Sequence, residues 1–343
     1  MRIFLPIVLI LTCITVSAVS QEDISLFDSL YNQKNVKISL TYPFDSLYSS
    51  NQEEIDAYIS IETEQGYLMK DEKMTLNLRG KFRRMRCSMP PLLLNFKKST
   101  LRDKHLAPID EIKLVTHCLP NQEGQENLLE ERMCYQLYEV VTPNAYRTIW
   151  LTVHYHDLSH PDDSIISTGF LLEPDKVISS RLGLTERKLF NISEDSLEFQ
   201  SYSLAAAFNF MIGNRDWSIV MSRNAKLFFN NTLNKYVVIP YDFDYSNIVG
   251  ASYRRETRPE TMLHQYDRLY EGEYFTTRAA DILISFEALK PIVLDRVMSA
   301  NNPMDENQRK KIYKYLETWF KEIEKSKPDE LKYGMVCPYK GGL

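Results

Sequence analysis

The sequence predicts an α+β protein in two parts, the first rich in antiparallel strands and the second mainly helical. Short segments that alternate apolar and polar residues recur between Val36 and Leu172, and this is the period of a half-buried strand. Longer helical patterns follow from Phe199 onward. The chain has 343 residues, of which 44% are hydrophobic and 25% charged, and this length is sufficient for two modest lobes.

Residues 1–20 have the pattern of a secretory signal peptide. Arg2 supplies the positive end, Ile3 to Val16 is almost entirely apolar, and Ala18-Val19-Ser20 offers small residues for cleavage. The apolar run is too short to span a bilayer comfortably, and no later stretch is long and apolar enough to do so. We therefore expect cleavage after Ser20 and a periplasmic, cell-surface or secreted protein that begins with a loose polar leader at 21–35.

Residues 36–174 form the predicted sheet-rich part. Its strand-like segments are Val36–Leu40, Ala57–Ile61, Met74–Leu78, Leu92–Lys97, Ile112–Thr116, Trp150–Tyr155 and Ser167–Leu172. A helix is predicted from Gln125 to Val141, and Glu131 is the only acid in one of its two apolar stripes. A carboxylate on a packed face needs a partner. Lys97 or Lys113 of the adjacent sheet could supply it, and a half-exposed Glu131 at the edge is the alternative.

Residues 175–343 form the predicted helical part. Residues 175–195 are mixed and charged, and we interpret them as the connection between the two parts. An apolar helix is predicted from Phe199 to Ile212 and ends at Gly213, a residue that commonly stops helices. Two further amphipathic helices are predicted, at Arg278–Val297 and Asn307–Ile323.

Charge and cysteine content narrow the class of protein. A net charge of −5 gives no reason to expect a nucleic-acid surface. Four cysteines remain after the signal peptide, and an even number in an exported protein permits disulfides. The spacing of these cysteines is not that of a zinc site, because no two of them form a Cys-x-x-Cys pair. We favour a Cys87–Cys118 disulfide because both residues end strand-like segments in the same half, and buried thiols are the alternative.

Three carboxylates and one carboxamide fall on loops beside short apolar strands. They are Asp216, Asn224, Asp242 and Asp244. Two carboxylates about 4 Å apart repel each other by roughly 4 kcal/mol at an effective dielectric near 20, so converging acids need a cation. Hard oxygen ligands favour Mg²⁺ or Mn²⁺, which proteins commonly hold together with phosphate oxygens. The alternative is that these residues simply form turns, which Asn, Asp and Gly favour.

Ordered motifs from Leu78 to Tyr253 resemble the CotH kinase family, named for spore coat protein H, in its exported Bacteroidetes-type branch. The most specific motifs are Met211-Ile212-Gly213-Asn214-Arg215-Asp216-Trp217-Ser218, Asn224-Ala225-Lys226-Leu227 and Pro240-Tyr241-Asp242-Phe243-Asp244-Tyr245-Ser246. Earlier matches are Leu78-Arg79-Gly80-Lys81-Phe82-Arg83-Arg84, Met89-Pro90-Pro91-Leu92, Lys113-Leu114-Val115-Thr116-His117-Cys118, Leu129-Glu130-Glu131 and Gly169-Phe170-Leu171-Leu172-Glu173. The resemblance covers about half of the chain.

The resemblance implies an atypical protein-kinase-like bilobal fold, with an antiparallel-sheet N-lobe, one long helix and a mainly helical C-lobe. It also implies an exported enzyme that uses ATP with Mg²⁺ or Mn²⁺ and transfers the γ-phosphoryl group to a hydroxyl acceptor, a Ser or Thr of a protein substrate. Asp216 would orient or deprotonate that acceptor. Asn224 and Asp242 would hold the metals, with Asp244 as an alternative main ligand.

The remaining implied roles concern the nucleotide. Glu131 would pair with a phosphate-binding lysine, Lys97 or Lys113. Arg79 would lie near the nucleotide, and Glu173 would end the strand that leads to the hinge between the lobes.

Several features depart from ordinary protein kinases. A Gly-x-Gly-x-x-Gly loop is missing, Asn-Arg precedes Asp216 in place of His-Arg, and Asp-Phe-Asp replaces Asp-Phe-Gly. ATP is also scarce outside the cytoplasm. A non-catalytic pseudokinase or surface binding module is therefore the alternative hypothesis. A metal-dependent hydrolase ranks lower because histidines are sparse near the acidic cluster.

Overall fold

The computed structural model describes residues 24–47, 54–80, 83, 87–253, 267–275, 278–299, 302–325 and 336–337. The signal peptide and the first residues of the predicted leader lie outside this part of the chain. The rest of the predicted leader is not loose, because it contains a short helix, α1 (Leu26–Tyr31), whose Leu26, Phe27 and Leu30 are buried. Ser25 caps this helix, and its hydroxyl accepts a hydrogen bond from the backbone N–H of Asp28 at 2.9 Å.

Seven strands close into a barrel. In chain order they are β1 (Lys37–Tyr42), β2 (Glu54–Thr63), β3 (Gly66–Leu78), β4 (Leu92–Phe96), β5 (Glu111–Thr116), β6 (Thr148–Asp157) and β7 (Ser164–Leu172). Their order around the barrel is β1-β2-β3-β4-β5-β7-β6. All neighbours are antiparallel except β1 and β6, which pair in parallel with Ile38 opposite Val153. Apolar side chains that alternate along the strands, such as Leu40, Ile59 and Leu114, fill the interior.

The predicted fold class is wrong. We expected an antiparallel-sheet N-lobe and a mainly helical C-lobe in a kinase-like bilobal arrangement, but the strands form a closed mixed barrel. The chain after residue 174 also contains a second sheet, of three strands. The physical reason is the parallel β1–β6 pair, since it joins segments more than 100 residues apart and removes the free edges of the sheet.

The second sheet consists of β8 (Thr185–Arg187), β9 (Ala225–Asn230) and β10 (Lys235–Pro240). The helices are α2 (Lys98–Asp103), α3 (Gln122–Val141), α4 (Asp175–Leu182), α5 (Phe199–Ile212), α6 (Ala279–Glu287), α7 (Lys290–Met298) and α8 (Glu306–Lys325). Two residues each form β11 (Arg268–Leu269) and β12 (Val336–Cys337). The single helix predicted over Arg278–Val297 is two helices, with Pro291 in the first turn of α7, where a missing N–H is tolerated.

A second hydrophobic core lies outside the barrel. Helix α3 contributes Tyr135 and Leu137, and α5 contributes most of its buried residues, including Phe208. Helix α8 adds Trp319, which is completely buried. Helix α3 therefore connects the barrel wall to the rest of the chain, and its two apolar stripes explain why both sides of it are packed.

Cys87 and Cys118 form a disulfide with Cα atoms 4.3 Å apart, so the pairing favoured from the sequence is confirmed. The bond ties the segment that follows Arg83 to the end of β5. Cys134 is a buried free thiol. Among the helices in the described ranges, none has the length and apolarity that a membrane-spanning segment requires.

Candidate functional site

A cleft of 410 Å³ lies where the rim of the barrel meets the loops of the second part. Arg79, Lys113 and Leu172 line it from the barrel, and Asp216 and Asp242 line it from the second part. Six of the predicted site residues share this cleft, namely Arg79, Lys113, Glu131, Asp216, Asp242 and Asp244. Acids that are distant along the chain therefore do converge.

Asp216 is positioned by the end of α5. Gly213 ends the helix in the left-handed conformation with φ 66°, and the chain turns there into the loop. The Asn214 amide then fixes the loop in two directions. Its Nδ2 donates to Asn209 Oδ1 at 2.8 Å, and its Oδ1 accepts from the backbone N–H of Asp216 at 3.0 Å. Asn214 is almost completely buried, so these bonds hold the loop on the core.

The Asp216 carboxylate has one amide and one cationic neighbour. Asn224 Nδ2 donates to Asp216 Oδ2 at 2.9 Å and to the Asp216 backbone carbonyl at 2.6 Å. Arg223 Nε lies 3.3 Å from Asp216 Oδ1. Burial raises the pKa of Asp216, with a smaller contribution from the charge of Asp244, while Arg223 opposes the shift. The carboxylate is thus oriented, and it remains partly exposed to the cleft.

Asp242 follows the end of β10 and has a left-handed backbone with φ 63°, which is uncommon for a residue other than glycine. Its backbone N–H donates to the hydroxyl of Tyr135 at 2.8 Å, and the ring of Tyr135 packs against Phe243 with centroids 4.8 Å apart. Among the described residues, its carboxylate has no hydrogen-bond or ion-pair partner. Burial and the charge of Asp244 raise the pKa of Asp242 to about 6.

Asp244 and Glu131 share one buried cation, Arg83. Arg83 Nη2 lies 2.7 Å from Asp244 Oδ2 and 3.0 Å from Glu131 Oε2, and Arg83 Nε donates to Asp244 Oδ2 at 3.0 Å. The Tyr253 hydroxyl also donates to Asp244 Oδ2, at 3.2 Å. The partner of Glu131 is therefore an arginine of the segment after β3, whereas the sequence predicted Lys97 or Lys113.

These contacts distinguish Asp242 from Asp244. The sequence alone left open which of the two would be the main metal ligand. The Oδ2 atom of Asp244 is saturated by Arg83 and Tyr253, whereas the carboxylate of Asp242 has no partner in the described ranges. An unpaired, largely buried carboxylate beside a second acid is costly without a cation. Of the two carboxylates, that of Asp242 is consequently the one that remains available to a cation.

Two cations face the acids from the barrel. Lys113 Nζ lies 5.4 Å from the ring centroid of Tyr241 and 6.0 Å from that of Tyr146. Burial lowers the pKa of Lys113 to about 8, against the opposing charge of Asp175. In the part of the chain that the structure describes, neither Lys113 nor the side chain of Arg79 forms an ion pair. Both are available to an anion in the cleft.

Three predicted site residues do not line the cleft. Lys97 is exposed at the start of α2. Glu173 is completely buried, and its carboxylate accepts from Arg147 Nη2 at 2.7 Å and Arg181 Nε at 2.9 Å. It therefore stabilises the junction of β7, β6 and α4 through two arginines. The Asn224 amide donates to Asp216, and the Asn224 backbone carbonyl accepts from the N–H of Tyr241, which lines the cleft.

Sequence reasoning missed three contributors, Arg83, Tyr135 and Asn214. Arg83 belongs to a basic run, which more often forms a solvated edge than a buried ion pair. Tyr135 lies four residues after Glu131 on the same face of α3, and this spacing is a usable signal for a shared site. Asn214 lies within the motif of Asp216, where an Asx-type bond to the residue two positions later is common.

The arrangement combines a cation-binding half with an anion-binding half. Asp242 and Asp216 offer hard oxygen ligands, and Lys113 and Arg79 offer positive charge opposite them. A divalent ion that carries phosphate groups fits this donor set, because it would satisfy both halves at once. Comparison of the chain with protein-family models gave no match, and comparison with curated proteins gave none either. Membership of the CotH kinase family therefore stays a prediction from the motifs.

Proposed function

We propose that the protein is an exported, metal-dependent phosphotransferase that transfers the γ-phosphoryl group of ATP to a hydroxyl acceptor, a Ser or Thr of a protein substrate. The observation that carries the proposal is the composition of one cleft. Asp216 and Asp242 lie in it together with Lys113 and Arg79, and in the described ranges Asp242, Lys113 and Arg79 have no ion-pair partner. The predicted signal peptide and the Cys87–Cys118 disulfide support export.

The unpaired Asp242 carboxylate is the chemical reason to expect a metal. Mg²⁺ or Mn²⁺ bound there would neutralise the negative charge of the phosphate groups. Asp242 would be the main protein ligand. Asp216 lies nearby on its own loop, held by Asn224 and Asn214.

Each side chain then has a role that follows from its surroundings. Lys113 and Arg79 bind phosphate oxygens, since they are the cations of the cleft that remain unpaired in the described ranges. Asp216 accepts a hydrogen bond from the acceptor hydroxyl and takes its proton, because its carboxylate is oriented by Asn224 and remains partly exposed. The buried base of the cleft consists of Arg83, Glu131 and Asp244. Their ion pairs hold α3 and the loop after β10 together.

The proposal is tested with ATP labelled at the γ-phosphate, in the presence of Mn²⁺ or Mg²⁺ and a serine-rich protein acceptor such as casein. We expect incorporation to fall about 100-fold or more in Asp216→Ala, the range for loss of a general base. Asp103→Ala, on the exposed end of α2, is the matched control and should transfer at the rate of the unmodified protein. Equal incorporation by both variants would contradict the proposal.

One observation favours a second candidate, a non-catalytic binding module. The Asn224 amide is turned onto Asp216, so the predicted second metal ligand does not line the cleft. Thermal unfolding with ATP and Mn²⁺ separates the candidates. A ligand at 100 times its dissociation constant stabilises the folded protein by about 2.7 kcal/mol. Stabilisation without phosphoryl transfer to any acceptor would favour the binding module.

A further inference from the structure

A second cavity, of 440 Å³, lies on another face of α3 from the one that bears Glu131. Arg132, Gln136 and Glu139 line it, and they follow the helical spacing i, i+4, i+7 that puts them on one side of α3. Thr148 at the start of β6 and Arg296 near the end of α7 complete the polar lining used here. The cavity is therefore separate from the cleft of Asp216.

Two guanidinium groups converge in this cavity. With its amide oxygen turned toward them, Gln136 accepts from Arg296 Nη2 at 3.0 Å and from Arg132 Nη2 at 3.2 Å. One neutral amide oxygen thus separates two positive charges. Burial and, to a smaller extent, the charge of Arg296 together lower the pKa of Arg132 to about 10. Such an arrangement is electrostatically costly without an anion.

One carboxylate, Glu139, lines the cavity and supplies part of that negative charge, since it acts against the lowered pKa of Arg132. In the described part of the chain, neither arginine forms an ion pair with a carboxylate. The acid on this face, Glu139, accepts a hydrogen bond from the Tyr31 hydroxyl. Two buried donors also lack a partner in the described ranges, Nε of Arg132 and the hydroxyl of Thr148. Buried donors of this kind are nearly always satisfied in folded proteins, by protein groups or by a bound species.

We propose that this cavity binds a phosphate- or sulfate-bearing small molecule. A tetrahedral dianion matches two guanidinium charges and offers more acceptor oxygens than a carboxylate does. The cavity volume leaves room for an attached polar group, for which Gln136 and Glu139 offer hydrogen-bonding atoms. The ring of Trp150, whose centroid lies 5.5 Å from Arg132 Cζ, helps to hold that side chain in place. This second site is independent of the phosphotransferase proposal.

The test is isothermal titration at constant ionic strength with three probes: inorganic phosphate, inorganic sulfate and glucose 6-phosphate. We expect Arg296→Gln to weaken binding about tenfold or more, the loss of one charge-assisted contact, and Arg296→Lys to retain part of the affinity. Arg102→Gln, an exposed arginine at the end of α2, is the matched control and should bind like the unmodified protein. Tighter binding of glucose 6-phosphate than of both inorganic ions would identify a phosphorylated organic ligand.

A second variant separates this site from the cleft, which also contains cations. Lys113→Met removes a cation of the cleft and should leave binding at the second cavity unchanged. If Lys113→Met abolishes oxyanion binding and Arg296→Gln does not, the inference is overturned and the anion belongs to the cleft. It is equally overturned if acetate binds as tightly as the three probes, or if Arg296→Gln and Arg102→Gln behave alike.

Discussion

The guanidinium group of Arg83 and the carboxylate of Glu131 form an ion pair 3.0 Å long between the barrel and α3, and both side chains are buried. The same guanidinium holds Asp244 at 2.7 Å. One arginine therefore pairs with two acids that come from different parts of the chain. A buried ion pair of this kind contributes little net stability. Removal of one partner is strongly destabilising, because the other charge is then buried without compensation.

We expect Arg83→Met to lower the free energy of unfolding by about 3–5 kcal/mol at pH 7, because two carboxylates would remain buried without a cation. Part of the loss should be recovered at pH 5. The unpaired acids would have raised pKa values in the folded state, so the folded protein would bind more protons than the unfolded chain as the pH falls. Urea unfolding at both pH values measures this. Arg102→Met, on the surface, should change the stability by less than about 0.5 kcal/mol.

Much of the secondary structure could be predicted because its signals are local. Alternating residues marked the barrel strands, and the apolar stripes marked α3, within a few residues of the observed ends, except that β3 begins at Gly66, eight residues before the predicted segment. Closure of the barrel could not be predicted. It depends on the parallel register of β1 with β6, in which Lys37 lies opposite Thr152, and no local pattern specifies a partner at that distance.

The residues of the candidate site could likewise be predicted only in part. Asp216 and Asp242 were identified because they fall on loops beside short apolar strands, where functional side chains are common, and they share one cleft. The partner of Glu131 was mistaken because an arginine in a basic run looks the same in the sequence whether it is solvated or buried. Only the burial of Arg83 against α3 in the folded protein brings its guanidinium group within reach of Glu131.

Asp242→Asn should separate folding from metal binding. The unpaired carboxylate beside Asp244 is destabilising without a cation, and asparagine tolerates the left-handed backbone at this position. We expect the variant to be more stable than the unmodified protein by about 1–3 kcal/mol at pH 7 without metal, the energy of roughly two pKa units. Thermal unfolding should then show no added stabilisation by Mn²⁺ with ATP. A normal metal-dependent shift in this variant would contradict the assignment of Asp242.

Asn224→Asp should expose how strongly Asp216 depends on its amide partner. The Asn224 nitrogen lies 2.9 Å from Asp216 Oδ2, so the change places two carboxylates in contact. Chemical denaturation without metal should show a loss of about 1–3 kcal/mol, because a donor is replaced by a like charge. Asn191→Asp is the matched control, because Asn191 is exposed and has the same positive φ of 49°. A loss of equal size at both positions would indicate a backbone effect and not repulsion at Asp216.

The buried carboxyl group of Glu130 predicts how the stability of the protein depends on pH. It is 1% exposed, and burial raises its pKa to about 7 although Lys311 Nζ lies 3.2 Å away. Between about pH 4.5 and 7 the folded protein binds the extra proton, so its stability falls as the pH rises through this window. Glu130→Gln should remove that fall and stabilise the protein by about 1–3 kcal/mol at pH 8, with little effect at pH 4.5. Glu54→Gln, at the exposed start of β2, is the control and should leave the pH profile of unfolding unchanged.

Gly213→Ala should damage the site by displacing the loop of Asp216. Gly213 and Gly183 both end helices with nearly equal positive φ, 66° and 64°, so alanine costs about 1–2 kcal/mol of backbone strain at either position. At Gly213 the new Cβ would also lie 2.7 Å from Asn247 Cβ and from the hydroxyl of Tyr315, whereas nothing lies within 4 Å at Gly183. We expect Gly213→Ala to lose about 1–3 kcal/mol more than Gly183→Ala in denaturant unfolding, the usual cost of overpacking. Phosphoryl transfer should fall only in Gly213→Ala, because relief of the clash moves the loop that begins at Asn214. Equal rates of transfer in the two variants would show that transfer does not depend on the position of this loop.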